Sequence, residues 1–322
     1  METWQIVLIA VLSVFAAIVL SLVTAYVCYR IVFFSNRKKK NDAYFRKVMK
    51  HYGEYGERFD NLLKNLQDSE CEKISINSRD GLLLSGKYYH KNDGGPLHIL
   101  FHGYRSRAEY DMSGIAYECM SLSHNVLLVD QRAHGESSGK TISFGIKERE
   151  DLLSWCVYAK NRFGDGVKIF IWGVSMGAAT VLMSLDLPLP DNVIGAVVDC
   201  PYSAPSGIIN HVGKKIHAPM FLLFPFVRLG AMLFGSFRLG KISAENSLLK
   251  AEVPVLLIHG EKDGFVPCEM SEKMAKSAKN ANVDLRFLKV ENATHAMNYL
   301  ENPEKYRKAV FEFIMEILER NK

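Results

Sequence analysis

The sequence predicts an α/β protein: a mostly parallel β-sheet covered by helices on both faces, preceded by one membrane-spanning helix. Three observations carry that prediction. Unbroken apolar runs of strand length (LHILF, NVLLVD, VKIFIWG, VIGAVVD, PVLLIHG) alternate with amphipathic helical stretches, the pattern of strands buried on both sides. Apolar residues make up 48% and charged residues 23% of the 322, the balance of a cored globular chain, which excludes wholesale disorder and a coiled coil. The stretch from Thr3 to Tyr29 holds no charged residue and is long enough to cross a hydrocarbon layer of roughly 30 Å.

That N-terminal stretch reads as a span over residues 5–34. A cleaved secretory signal fits it poorly, because METWQ carries no basic side chain, the apolar run is too long and no A-x-A site follows. A buried core helix would show a polar stripe, and this segment is apolar on every face. Upstream there is only Glu2. Downstream come Arg30, Arg37, Lys38, Lys39 and Lys40, then Arg46, Lys47 and Lys50. Positive flanks stay cytoplasmic, so a single-pass cell-membrane protein with its catalytic domain in the cytoplasm is expected. The run also suits anionic headgroups, an attraction of about 1 kcal/mol per residue. Residues 35–70 read as a basic juxtamembrane linker and helical stalk, with aromatics at Tyr44, Phe45, Tyr52, Tyr55 and Phe59.

Residues 71–322 form the soluble domain. EKISINSRDGLLLSGKYYH reads as a hairpin turning at Arg79-Asp80-Gly81, followed by the strand LHILF and a helix over Glu109 to Leu122. NVLLVD, a helix from about Ile146 to Arg162, VKIFIWG and a helix after Ser175 come next. VIGAVVD, PVLLIHG, a helix from Ser271 to Lys279, DLRFLKV and a last helix carrying Tyr306, Val310, Phe313, Ile314 and Ile317 complete the pattern. Between VIGAVVD and PVLLIHG the rhythm breaks. Residues of about 203–247, including HAPMFLLFPFVRLGAMLFGSF, show no strand pattern. Pro225, Arg228, Gly230 and Gly235 argue against a second span, so the segment reads as a helical cap over a site.

A net charge of +5, mostly in one short run, does not describe a nucleic-acid binder. Six scattered cysteines without a CxxC pair exclude a zinc ribbon and a disulfide scaffold.

Gly173-Val174-Ser175-Met176-Gly177 stands between the strand VKIFIW and the helix AATVLMSL. A G-x-S-x-G at such a junction makes a strained elbow whose serine points out of the sheet, with a helix N-terminus aimed at the same spot. A serine hydroxyl needs a base, and the base an orienting carboxylate. Asp263 follows PVLLIHG and His295 follows DLRFLKV, both in turns at the C-terminal ends of strands. The order Ser, Asp, His is the one that accompanies this elbow. The backbone N–H groups of Tyr104, after LHILF, and of Met176 are the candidate oxyanion donors; His102 precedes the elbow and reads as a loop-shaping residue.

HGY, DQRAHGESSG, GVSMGAA, HGEKDGFVP and ATHAMNY together resemble the α/β-hydrolase superfamily. The likeness is strongest to membrane-anchored bacterial hydrolases of the YqkD type and extends more distantly to Bem46-like serine hydrolases. It covers Cys71 to Lys322. It implies the α/β-hydrolase fold: eight strands, the first hairpin antiparallel to the rest, and a cap after the sixth. It also implies Ser175 as nucleophile, Asp263 as acid and His295 as base, with Asp130, Arg132, His134 and Gly135 in a structural loop.

The expected activity is acyl transfer to water on a small-molecule or lipid-like acyl ester or thioester, a chemistry that calls for no metal and no cofactor. An aminopeptidase-like activity and a catalytically silent membrane scaffold are the competing readings. The motifs leave substrate and oligomeric state open, since one scaffold hosts many activities.

Overall fold

The computed structural model describes residues 2–35 and 52–322. The basic residues from Arg37 to Lys50 and the aromatics Tyr44 and Phe45 lie outside the described residues. Helix α1 (Thr3–Val32) is one unbroken helix. Its side chains from Ile6 to Leu20 are all exposed, whereas Ala25, Cys28 and Tyr29 are buried against the domain.

Helix α2 (Gly56–Asp68) belongs to the domain and not to a free stalk. Phe59, Leu62, Leu63 and Leu66 recur at helical spacing and bury against helix α3 (Ala108–Ser121). The sheet contains β1 (Glu72–Asn77), β2 (Leu83–Tyr89), β3 (Leu97–Phe101), β4 (Asn125–Asp130), β5 (Ile169–Val174), β6 (Val193–Asp199), β7 (Val255–Gly260) and β8 (Leu285–Val290). Their order is β1-β2-β4-β3-β5-β6-β7-β8. Pairing corrects one expectation: β2 is antiparallel to both β1 and β4, so β2 alone runs against the sheet and β1 points with the majority. A hairpin reverses direction between its own strands, so both cannot oppose the rest.

The remaining helices are α4 (Glu148–Phe163), α5 (Met176–Ser184), α6 (Pro205–Lys215), α7 (Met220–Leu233), α8 (Ala244–Leu248), α9 (Cys268–Asn280), α10 (Asn298–Glu301) and α11 (Pro303–Arg320). Alternate residues of the central strands supply two cores. Ile99, Phe101 and Leu127 pack with Trp155 of α4, Leu182 of α5 and Met274 of α9. Leu100, Val126 and Trp172 pack on the opposite face with α2, α3 and Phe313 of α11. Burial of both faces explains the unbroken apolar runs. Helices α6, α7 and α8 occupy the insertion between β6 and β7.

Candidate active site

β5 ends at Val174 and α5 begins at Met176, leaving Ser175 as the pivot. Its backbone sits at φ 54°, ψ −114°, a conformation L-residues rarely adopt. The flanking glycines are sterically required. A Cβ on Gly173 would collide with the Gly177 backbone, and one on Gly177 with the Phe101 carbonyl. Ser175 N–H donates to the Asp199 carbonyl at 2.8 Å, fixing the pivot to β6.

The turns after β7 and β8 meet at this pivot. His295 Nε2 lies 2.9 Å from Ser175 Oγ, and His295 Nδ1 lies 2.7 Å from Asp263 Oδ2. The Ser175 residue is 8% exposed, the His295 side chain 16% and the Asp263 side chain 0%. The two turns touch closely enough that a Cβ on Gly260 would strike the Ala293 carbonyl. Asp263 Oδ1 accepts the N–H groups of Phe265 and Val266 at 2.8 Å each. Burial pushes the Asp263 carboxyl up, but hydrogen bonds from His259 and His295 outweigh it and hold the group well below the usual carboxylate range.

Two supporting residues carry no sequence signal of their own. His259 on β7 is wholly buried, with Nε2 2.9 Å from the Val266 carbonyl and 3.3 Å from Asp263 Oδ2, and Nδ1 2.7 Å from Ser271 Oγ. Asp111 on α3 accepts Gly103 N–H at 2.7 Å and Ser106 Oγ–H at 2.5 Å, bracing the loop that holds Tyr104. A carboxylate eight residues after its partner shows up only once α3 is folded back over β3.

His102 is spent on scaffolding: its Nδ1 lies 2.8 Å from the Gly103 carbonyl and its Nε2 accepts Gln131 N–H at 3.1 Å. Arg105 N–H donates to His134 Nε2 at 2.9 Å, tying this loop to the one after β4. There Arg132 forks onto Asp151 at 2.6 Å and onto Asp80 at 2.8 and 2.9 Å. A Cβ on Gly135 would overlap the Asp130 carboxylate.

The Tyr104 side chain turns away toward α1. Its hydroxyl donates to the Val32 carbonyl at 2.7 Å, and burial pushes its pKa up to about 12. Arg105 Nη2 donates to the carbonyls of Ile31 at 2.7 Å and Phe34 at 3.1 Å. Met176 opens α5, where first-turn N–H groups lack partners inside the helix.

Cys200, Asp263 and His295 offer ligand-type atoms within 4.8 Å of one another. The Asp263 and His295 atoms already engage each other, and burial drives the Cys200 thiol well above its usual range, so these donors do not fit a metal better than a hydrogen-bonded relay. A cavity of about 1020 Å³ lies at the opposite, N-terminal ends of the strands, bordered by Tyr88, His90, Asn125 and Arg162. Ligands of open parallel sheets bind at the carboxyl ends, so its size does not mark the site.

The fold is similar to that of an esterase of Pyrococcus furiosus, which superposes with a TM-score of 0.65 at 26% identity over 79% of this chain and 93% of that one. The chain has the α/β-hydrolase fold. Residues 238–321 match the prolyl oligopeptidase family. The chain is 28% identical to the uncharacterized protein YqkD of Bacillus subtilis, over 91% of this chain and 94% of that protein. It is 27% identical to the thiohydrolase aneE of Aspergillus aculeatus over 38% of this chain and 39% of that one. Together the likenesses support hydrolase activity.

Proposed function

We propose that this α/β hydrolase cleaves carboxylic esters or thioesters through an acyl-enzyme intermediate on Ser175. One observation carries the reading: Ser175 Oγ, His295 and Asp263 form a continuous hydrogen-bonded relay, at 2.9 and 2.7 Å, on a strained elbow facing a helix N-terminus. Ser175 Oγ attacks the acyl carbon while His295 Nε2 takes its proton, and the ionised Asp263 steadies the imidazolium. The tetrahedral oxyanion rests on the N–H groups of Tyr104 and Met176, a donor pair in which each member is worth about 2.7–4 kcal/mol. Collapse expels the alcohol or thiol, which leaves with the proton held by His295. Water then gives a proton to His295 and attacks the acyl carbon, releasing the acid and restoring Ser175.

The esterase neighbour and the thiohydrolase likeness support an acyl oxygen or sulfur leaving group. The apolar cap and the membrane helix suit a lipid-like acyl chain, and the basic residues after Tyr29 support a catalytic domain on the cytoplasmic side. The prolyl oligopeptidase match over residues 238–321 favours a peptidase as the second reading.

A panel of p-nitrophenyl esters of increasing acyl length, thioesters and aminoacyl anilides separates the two. Ester or thioester turnover and fluorophosphonate labelling, both abolished in Ser175→Ala, is the expected result. Turnover of the anilides alone assigns a peptidase. Well-folded protein inert to every substrate and to the probe is a silent scaffold, and the proposal is then wrong.

A further inference from the structure

Helix α7 has the sequence MFLLFPFVRLGAML, in which Arg228 is the single charge. One side of it packs on the lower part of α1. Gly230 sits so close to the Ala25 carbonyl that a Cβ would overlap it. The Tyr26 and Tyr29 rings lie 5.1 and 5.9 Å from Phe234, just past the helix end. The other side is bare: Phe221 is 82% exposed, and Leu222, Pro225, Met232 and Leu233 are exposed with it. A helix face that meets water is polar, and apolar patches of this kind mark a binding surface.

Its position relative to α1 says what covers it. From Thr3 to Leu20, every residue of α1 is exposed among the described residues apart from Gln5, which is partly covered. That length rises roughly 27 Å, close to the full hydrocarbon thickness. Ala25, where α7 makes its contact, lies about 7 Å further along, at the level of the headgroups and the first methylenes. The fourteen residues of α7 rise roughly 21 Å, too short to span. Lys214, Arg238 and Lys241 are exposed before and after the helix, and Arg228 can lie along the apolar face with its guanidinium at phosphate depth.

We propose that α7 is an interfacial membrane helix, lying on an anionic phospholipid surface beside the α1 span with Phe221, Leu222, Met232 and Leu233 in the acyl boundary. The cap is then seated on the bilayer and not held above it. The placement of α7 does not depend on the hydrolase reading; its consequence, entry of substrate from the lipid side, rests on that reading.

The test uses the full chain reconstituted in vesicles of roughly seven parts phosphatidylcholine to three parts phosphatidylglycerol. They carry a trace of phospholipid bearing a diazirine on its acyl chain. After irradiation, lipid adducts mapped by mass spectrometry should fall on both α1 and the 221–233 segment. Adducts confined to α1 overturn the proposal. So does cross-linking of Leu222→Cys between two copies in place of lipid adducts, which would make the face a dimer contact. The double variant Leu222→Asp, Met232→Asp changes only exposed positions. It should lose the 221–233 adducts and cleave a vesicle-borne ester about tenfold more slowly, with a short soluble ester hydrolysed at the parent rate. Equal rates of both proteins on the vesicle-borne ester overturn the substrate-entry consequence. Absence of any ester cleavage sinks the hydrolase reading alone, because the adduct map still reports where α7 lies.

Discussion

At Asp263, two histidines meet one carboxylate. His295 is 2.7 Å from Oδ2, His259 is 3.3 Å from the same oxygen, and two backbone N–H groups take the other oxygen. The carboxylate is therefore held ionised and fixed in rotation, and it dictates that His295 carries its proton on Nδ1 and offers Nε2 to Ser175. Asp263→Asn keeps the shape and Oδ1 can still accept Phe265 and Val266 N–H, but its amide presents hydrogens to Nδ1 and forces the other tautomer. Ester turnover should fall about 10³–10⁴-fold with KM little changed. His259→Gln, which disturbs only the support, should fall far less. Comparable losses in the two variants would mean that His259 itself takes part in the chemistry, and an active Asp263→Asn would remove the acid from the relay.

Among the elements, the end of α1 and the Tyr104 loop are built into one another. Tyr104 and Arg105 place three hydrogen bonds on carbonyls of residues 31–34, where a helix end has acceptors to spare. Phe33 and Ser35 pair with the chain at 140–142. The end of α1 is thus part of what holds the Tyr104 loop in place. Tyr104→Phe removes the bond to Val32 and leaves the backbone N–H untouched. We expect kcat on a soluble ester to drop severalfold, KM to stay, and the melting temperature to fall by a few degrees, consistent with about 1 kcal/mol for one net hydrogen bond. A lower melting point with unchanged kcat would leave the contact purely structural. This tie could not be read from sequence, because Tyr104 and Val32 are 72 residues apart and no periodicity relates them. The strands were legible because burial on both faces writes itself as apolar runs, and the elbow because two glycines bracket a serine at a strand-to-helix joint. The direction of β1 was not, since it depends on which strand β2 chooses as its other neighbour. The spacing of Phe59, Leu62, Leu63 and Leu66 did contain α2, hidden in a segment whose charges suggested a stalk.

For the molecule as a whole, the carboxyl end of the sheet holds two buried carboxylates with opposite effects on stability. Asp263 is held below its ordinary range, so its contribution is complete above the unfolded value near 4 and is lost only as pH falls through the lower folded value. Asp199 is the reverse: burial pushes it up to about 6, against the help of Asn298, whose amide donates at 2.5 Å. Between pH 4 and 6 the folded chain keeps a proton there that the unfolded chain has released, so stability falls as pH rises through that window. The difference from 3.8 corresponds to at most about 3 kcal/mol once the group is ionised. Asp199→Asn is neutral throughout, and Oδ1 can still accept the Asn298 amide. The variant should melt near the parent at pH 4.5 and several degrees above it at pH 7, with both proteins in the same detergent. An offset that is the same at both pH values would show that Asp199 ionises at its ordinary pH, and that neighbours at the carboxyl end of the sheet already compensate its charge.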